Sequence, residues 1–213
     1  MAIPAKSKYV MDSRPGARAG LTLYCAPDDL SGRWARIVLA EKDIDHARIE
    51  WVRPGGRPHP DLIVLNPSLS LPTLADRDAV MYPAGIIVEY LDERYPHPRL
   101  LPPDPATRAL IRMMLARLER ELLPLAQSIL AAPKSPDVKA ARKQLGENLA
   151  ASGRFFPQRG WCLGLTDFSL ADCAWAALLS ALPALQLKPP EDPALLRYAQ
   201  RVLARPSVQS SLR

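Results

Sequence analysis

Metal-ligating and redox side chains are scarce in this chain. Three histidines (His46, His59, His97) and three cysteines (Cys25, Cys162, Cys173) occur in 213 residues, and no two cysteines form a CxxC pair. An odd set of widely spaced cysteines argues against a disulfide framework, and the missing pairs argue against a zinc site. Glycine is also sparse: the ten residues are scattered, so no phosphate-cradling loop is present. No run of about 18 apolar residues exists to span a membrane. Residues 1–20 are polar and small rather than built like a signal peptide, so cytoplasmic residence is expected.

Acidic side chains fall short of basic ones, 22 against 28, for a net charge of +6. The excess is uneven. Lys6, Lys8, Arg14 and Arg18 against Asp12 leave +3 within residues 1–20, which read as a flexible basic tail. The remainder mixes both signs, and no helix offers the continuous Lys/Arg face of a groove reader. Direct nucleic-acid contact is therefore expected to be secondary, through the tail and strongly salt-dependent.

Proline, at 23 residues, is plentiful and punctuates the chain. Leu21 to Cys25 reads as an apolar strand and is followed by a helix to about Asp43, with Ser31 as its expected cap. His46 to Val52 alternates like a half-buried strand, and Pro60 to Leu65 suits a short helix. Pro72–Asp76 and Ala79–Tyr82 flank Arg77-Asp78 as a hairpin. Ala84 to Arg94 is an amphipathic helix with Ile86, Ile87, Tyr90 and Leu91 expected on one side. Residues 21–95 thus form an α/β thioredoxin-like unit.

Residues 96–104 are a proline-rich connector, expected to be rigid and extended because proline restricts itself and its predecessor. Residues 105–213 read as all helical. Helices are expected over Pro105–Leu130 with a kink at Pro124, Lys139–Phe156, Ser169–Leu185 and Pro193–Arg205, with a short tail beyond Pro206. Phe168-Ser169-Leu170-Ala171-Asp172 carries a capping box with Phe168 at the staple position, which fixes a helix start and contributes about 1–2 kcal/mol.

A thioredoxin-like unit, an all-α unit, this capping box and Leu71-Pro72-Thr73 together resemble the cytosolic glutathione transferase fold, whose cis-proline precedes its third strand. Arg36-Ile37-Val38-Leu39-Ala40-Glu41-Lys42, Leu65-Asn66-Pro67, Leu71-Pro72-Thr73-Leu74 and Glu89 to Pro98 further resemble a bacterial RNA-polymerase-associated family within that superfamily. The resemblance covers about residues 20–205. It implies a non-catalytic homodimer that binds RNA polymerase holoenzyme and changes promoter use under starvation or stress. Its docking surface would be Tyr95, Pro96, His97, Pro98, Arg99, Leu100 and Pro102. Arg99 stands where that family has proline, adding a charge to an apolar surface; Leu101 replaces a methionine, a volume-conserving change.

Glutathione chemistry in this fold would need a thiolate-stabilising group at the first helix and an acidic or amide residue followed by Ser at the third. The chain has Pro83-Ala84 at the second position, so Leu71, Pro72, Pro83 and Ala84 are expected to line a vestigial cleft. Near the first helix, Cys25 reads as a buried thiol, Tyr24 as core and Ser31 as a cap. No catalytic residue, cofactor or metal is expected. A transferase or thiol reductase using Cys25 or Ser31 is the alternative.

Overall fold

The computed structural model describes residues 20–53, 55–56, 59–77, 79–188 and 191–212, so the expected basic tail lies outside the described residues except for Gly20. The first half builds β1 (Leu21–Cys25), α1 (Leu30–Glu41), β2 (Arg48–Trp51), α2 (Pro60–Leu65), β3 (Thr73–Asp76), β4 (Ala79–Met81) and α3 (Ala84–Arg94). Its strands form one sheet in the order β2-β1-β3-β4. β2 runs parallel to β1, with Thr22 opposite Arg48, while β3 and β4 pair antiparallel. β1 is buried at every position, as a strand covered on both faces should be, which is why it reads as an apolar run rather than an alternation.

α1 is capped by Asp29, not by Ser31. The Asp29 carboxylate accepts from the amides of Ser31 (3.1 Å) and Gly32 (2.9 Å). An ionised carboxylate accepts more strongly than a hydroxyl, so it takes the cap. Gly32 has a specific role here: a Cβ at this position would lie 2.7 Å from the Cys25 Cβ. Its absence lets the helix start against the strand. Trp34, Ile37 and Val38 are then fully buried. In α3 the expected apolar side is narrower than the pattern suggests, because Ile86 is 54% exposed.

The second half comprises α4 (Pro105–Arg117), α5 (Leu123–Ala131), α6 (Val138–Ala151), α7 (Leu170–Leu179), α8 (Leu182–Leu185), α9 (Pro193–Leu203) and α10 (Pro206–Ser211). The expected kink at Pro124 takes a definite form: a π-helical turn over Leu118–Leu122 joins α4 to α5. Proline has no N–H to continue the ladder, and a widened turn accommodates the gap. The helix expected through Leu185 stops at Leu179 for a similar reason, since Pro183 has no amide to donate back and opens α8 instead. The expected tail is helical: α10 packs on α1.

α7 is buried along its whole length and forms the axis of this half. Its capping box forms, and Asp172 does more than cap. Its carboxylate accepts from the Ser169 amide (2.9 Å) and hydroxyl (2.7 Å), the Cys162 amide (2.9 Å) and the Tyr198 hydroxyl (2.8 Å). Burial pushes the Asp172 pKa up despite these donors.

Candidate partner-binding surface and residual cleft

The segment from Tyr95 to Pro102 is held from beneath by two side chains that meet across fifty residues of sequence. Lys42, at the C-terminal end of α1, is completely buried, and its ammonium forms an ion pair with Asp92 in the last turn of α3. The same ammonium donates to the carbonyls of Tyr95 (2.7 Å) and Pro98 (2.6 Å). Asp92 in turn accepts from the amides of Leu100 (2.8 Å) and Leu101 (3.0 Å). One buried pair therefore fixes the segment by its backbone at both ends.

This anchoring corrects the expectation of an extended connector. Two carbonyls three residues apart reach one nitrogen, so the segment is folded over Lys42. Leu100 is likewise corrected as a docking residue: it is 2% exposed, and its carbonyl accepts from the amide of Leu170 at the start of α7. Leu100 forms the floor of the surface. Pro96, His97, Pro98 and Arg99 are exposed, and Tyr95 and Pro102 are half-buried. Beside them a cleft of about 450 Å³ opens between Arg99, Pro102, Thr107 and Phe168. His46, which carried no assigned role, lies with its Nε2 3.1 Å from the Tyr95 hydroxyl and extends the surface.

The residues expected to line a residual cleft lie toward the opposite ends of the same helices, and they are unevenly placed: Pro72 and Ala84 are buried, Leu71 is half-buried and Pro83 exposed. Leu71-Pro72 is a cis peptide, as expected, and Tyr82-Pro83 is a second one. Asn66 braces this loop by donating to the Thr73 hydroxyl (2.8 Å) and the Ser70 carbonyl (3.2 Å). At the start of α3, Pro83 contributes no side-chain cap. The Gly85 amide instead donates to the Glu119 carboxylate (3.0 Å), delivered by the π-helical turn. At the start of α1, Asp29 holds two amides and the Gln127 side-chain oxygen accepts from the Leu30 amide (3.0 Å). Side chains of this chain therefore hold amides at both helix starts, where a ligand's anionic groups would otherwise find donors.

The thiol chemistry points the same way. Cys25 is fully buried, and its pKa is pushed up to about 12, by burial first and by Asp29 as well, against the opposing pull of Arg36. Such a group is a small hydrophobe at neutral pH. Tyr24 is core, as its position in β1 implies. Sequence spacing carries no sign of Lys42, Glu119 or Gln127 as site residues, since each meets its partner only through tertiary packing.

Residues 32–94 match the glutathione S-transferase N-terminal domain family, and residues 104–206 match the glutathione S-transferase C-terminal domain family. A stringent starvation protein A homologue of Coxiella burnetii is 36% identical over 199 residues, covering 92% of each chain. A maleylacetoacetate isomerase of Pseudomonas aeruginosa is 31% identical over 172 residues, covering 74% of this chain and 81% of that one. Among solved structures, a glutathione-bound theta class glutathione S-transferase from Xanthomonas axonopodis pv. citri superposes with a TM-score of 0.79 over 91% of this chain and 97% of that chain, at 24% identity. That level of identity speaks to the fold alone.

Proposed function

Because the chain belongs to the stringent starvation protein A family of the glutathione S-transferase superfamily, we propose that it is a non-catalytic regulator that docks on RNA polymerase holoenzyme and changes promoter use during starvation or stress. The carrying observation is the buried Lys42–Asp92 pair, which holds the segment Tyr95–Arg99, exposed from Pro96 onward, by its backbone. A surface prearranged in this way loses little conformational entropy on binding, so a small patch can reach useful affinity. His97 and Pro98 are its centre, Tyr95, Pro96, Arg99 and Pro102 its rim, and the neighbouring 450 Å³ cleft can receive an apolar partner side chain.

The same reading takes the protein as a cytoplasmic homodimer. Exposed Ile86 on α3 and exposed Leu110 and Met113 on α4 support it, for they lie on two helices joined by the Arg112–Glu89 ion pair. Glutathione-dependent catalysis is disfavoured by Pro83 and Ala84, by Glu119 on the Gly85 amide and by the protonated, buried Cys25.

The test is binding of purified RNA polymerase holoenzyme to wild type and to the His97→Ala/Pro98→Ala double variant. The variant is expected to keep its melting temperature and to lose about tenfold or more in affinity. Equal affinity would remove the docking surface. Retention of the wild type on immobilised glutathione would restore the enzymatic alternative.

A further inference from the structure

On the β2 side of α1 two arginines make no direct ion pair among the described residues, although the Asp29 carboxylate lies near enough to favour the charge of both and Asp28 that of Arg33. Arg33 and Arg36 lie one turn apart on α1, each partly buried. Each makes one hydrogen bond to a neutral acceptor: Arg33 Nη1 donates to the Ser180 hydroxyl (3.0 Å) and Arg36 Nη1 to the Ser211 carbonyl (2.9 Å). Neither has a carboxylate within ion-pair distance among the described residues, and the Nε of each is buried without a partner. Burial depresses both pKa values, and Arg36 depresses that of Arg33 further, against the opposing pull of Asp29 on both and of Asp28 on Arg33. Two like charges held half out of water on one helix face cost stability unless something offsets them.

Both arginines line a cleft of about 460 Å³ together with Pro27, Asp28, Trp51 and Leu212. Trp51 is 49% exposed, and the Arg36 guanidinium stands 4.9 Å from its ring centre. The Arg36–Trp51 pair also borders a second cleft of about 300 Å³, walled by Leu39, Ala47 and Ile49 and edged by Asp45 and Ser210. Paired guanidiniums suit a dianionic phosphate, the indole and apolar wall suit a planar ring, and the Asp28 carboxylate suits hydroxyl donors rather than a bare anion.

We propose that this cleft binds a small phosphorylated nucleoside, with its phosphate on Arg33 and Arg36, its base on Trp51 and a sugar hydroxyl donating to Asp28. The site shares no lining residue with the docking surface or with Leu71, Pro72, Pro83 and Ala84, so it stands whether or not the polymerase reading does. Stacking tolerates any base, which makes adenosine diphosphate a fair probe.

The full chain would be titrated calorimetrically with adenosine diphosphate, inorganic phosphate, adenosine and a single-stranded oligonucleotide. Saturable one-to-one binding of adenosine diphosphate is expected, with each of Arg36→Gln, Arg33→Gln and Trp51→Ala weakening it about tenfold or more. Trp51 is a surface residue, so its variant tests the site even if an arginine variant fails to fold. No saturable binding of adenosine diphosphate would overturn the proposal, as would binding indifferent to Trp51→Ala. Equal affinity for inorganic phosphate, or tighter binding of the oligonucleotide, would equally overturn it.

Discussion

Replacing Lys42 by methionine keeps an unbranched, apolar stem of similar length and removes only the ammonium. The loss strands several groups at once. Asp92 keeps the Leu100 and Leu101 amides but loses its buried counter-ion, and the Tyr95 and Pro98 carbonyls lose their donor. Breaking one side of a buried ion pair costs about 3–5 kcal/mol, a large part of a typical total of about 5–15 kcal/mol. For a chain of this size that corresponds to a fall in melting temperature of roughly 6–20 °C. Exchanging both members, as Lys42→Met/Asp92→Leu, often restores stability at simpler buried pairs. Here it should not, because the pair also satisfies two amides and two carbonyls, each worth about 1–3 kcal/mol if left buried and unmet. Thermal unfolding followed by circular dichroism, alongside polymerase binding, reads both consequences. A double variant that recovers the wild-type melting temperature, or a single variant that keeps full polymerase affinity, would refute the anchoring argument.

Alkylation of the folded protein at neutral pH should spare Cys25, since with a pKa of about 12 only about one thiol in 10⁵ is ionised; rapid labelling before unfolding would contradict its burial. For Asp172 the sign is fixed by its raised folded-state pKa: the native state binds more protons than the unfolded one, so this group's contribution falls as pH rises from its ordinary value of 3.8 through the raised one. An Asp172→Asn variant should therefore show a flatter dependence of melting temperature on pH across that window, and a parallel profile would count against it. Ile86→Glu/Met113→Glu introduces charge at positions 54% and 69% exposed. It should leave the monomer fold intact and shift the light-scattering mass from dimer to monomer; an unchanged dimer would place the interface elsewhere.

The elements that the chain spells out locally are the ones that sequence reading places well. The buried strand Leu21–Cys25, the cis-proline at Pro72 and the capping box at Ser169 each depend on neighbouring residues. The cap of α1 is less legible, since Asp28, Asp29 and Ser31 compete within four positions and only the chain path selects Asp29. Leu100 misleads because it lies in a proline-rich, exposed stretch while Asp92 and Leu170 draw its backbone inward. Lys42 in sequence is one charged residue at a helix end, a position normally solvated. Its burial follows from α3 bringing Asp92 beside it, a contact that no spacing rule anticipates. Glu119 is hidden for the same reason, and the π-helical turn that aims it at Gly85 is set by Pro124 five residues later.

The C-terminal helix closes a long loop in the chain. α10 packs against α1, the Ser211 carbonyl receives Arg36, and Arg205 and Ser207 both hold Glu41 at the end of that first helix. The contacts span more than 160 residues, so the outer face of α1 is covered by a segment synthesised long after it. Residues 20–95 are made well before that cover and must wait with the face bare, a stage at which exposed apolar surface invites chaperones or aggregation. A variant cut after residue 204 would keep that unfinished state permanently, and its α1 amides should exchange hydrogen faster than those of the uncut chain.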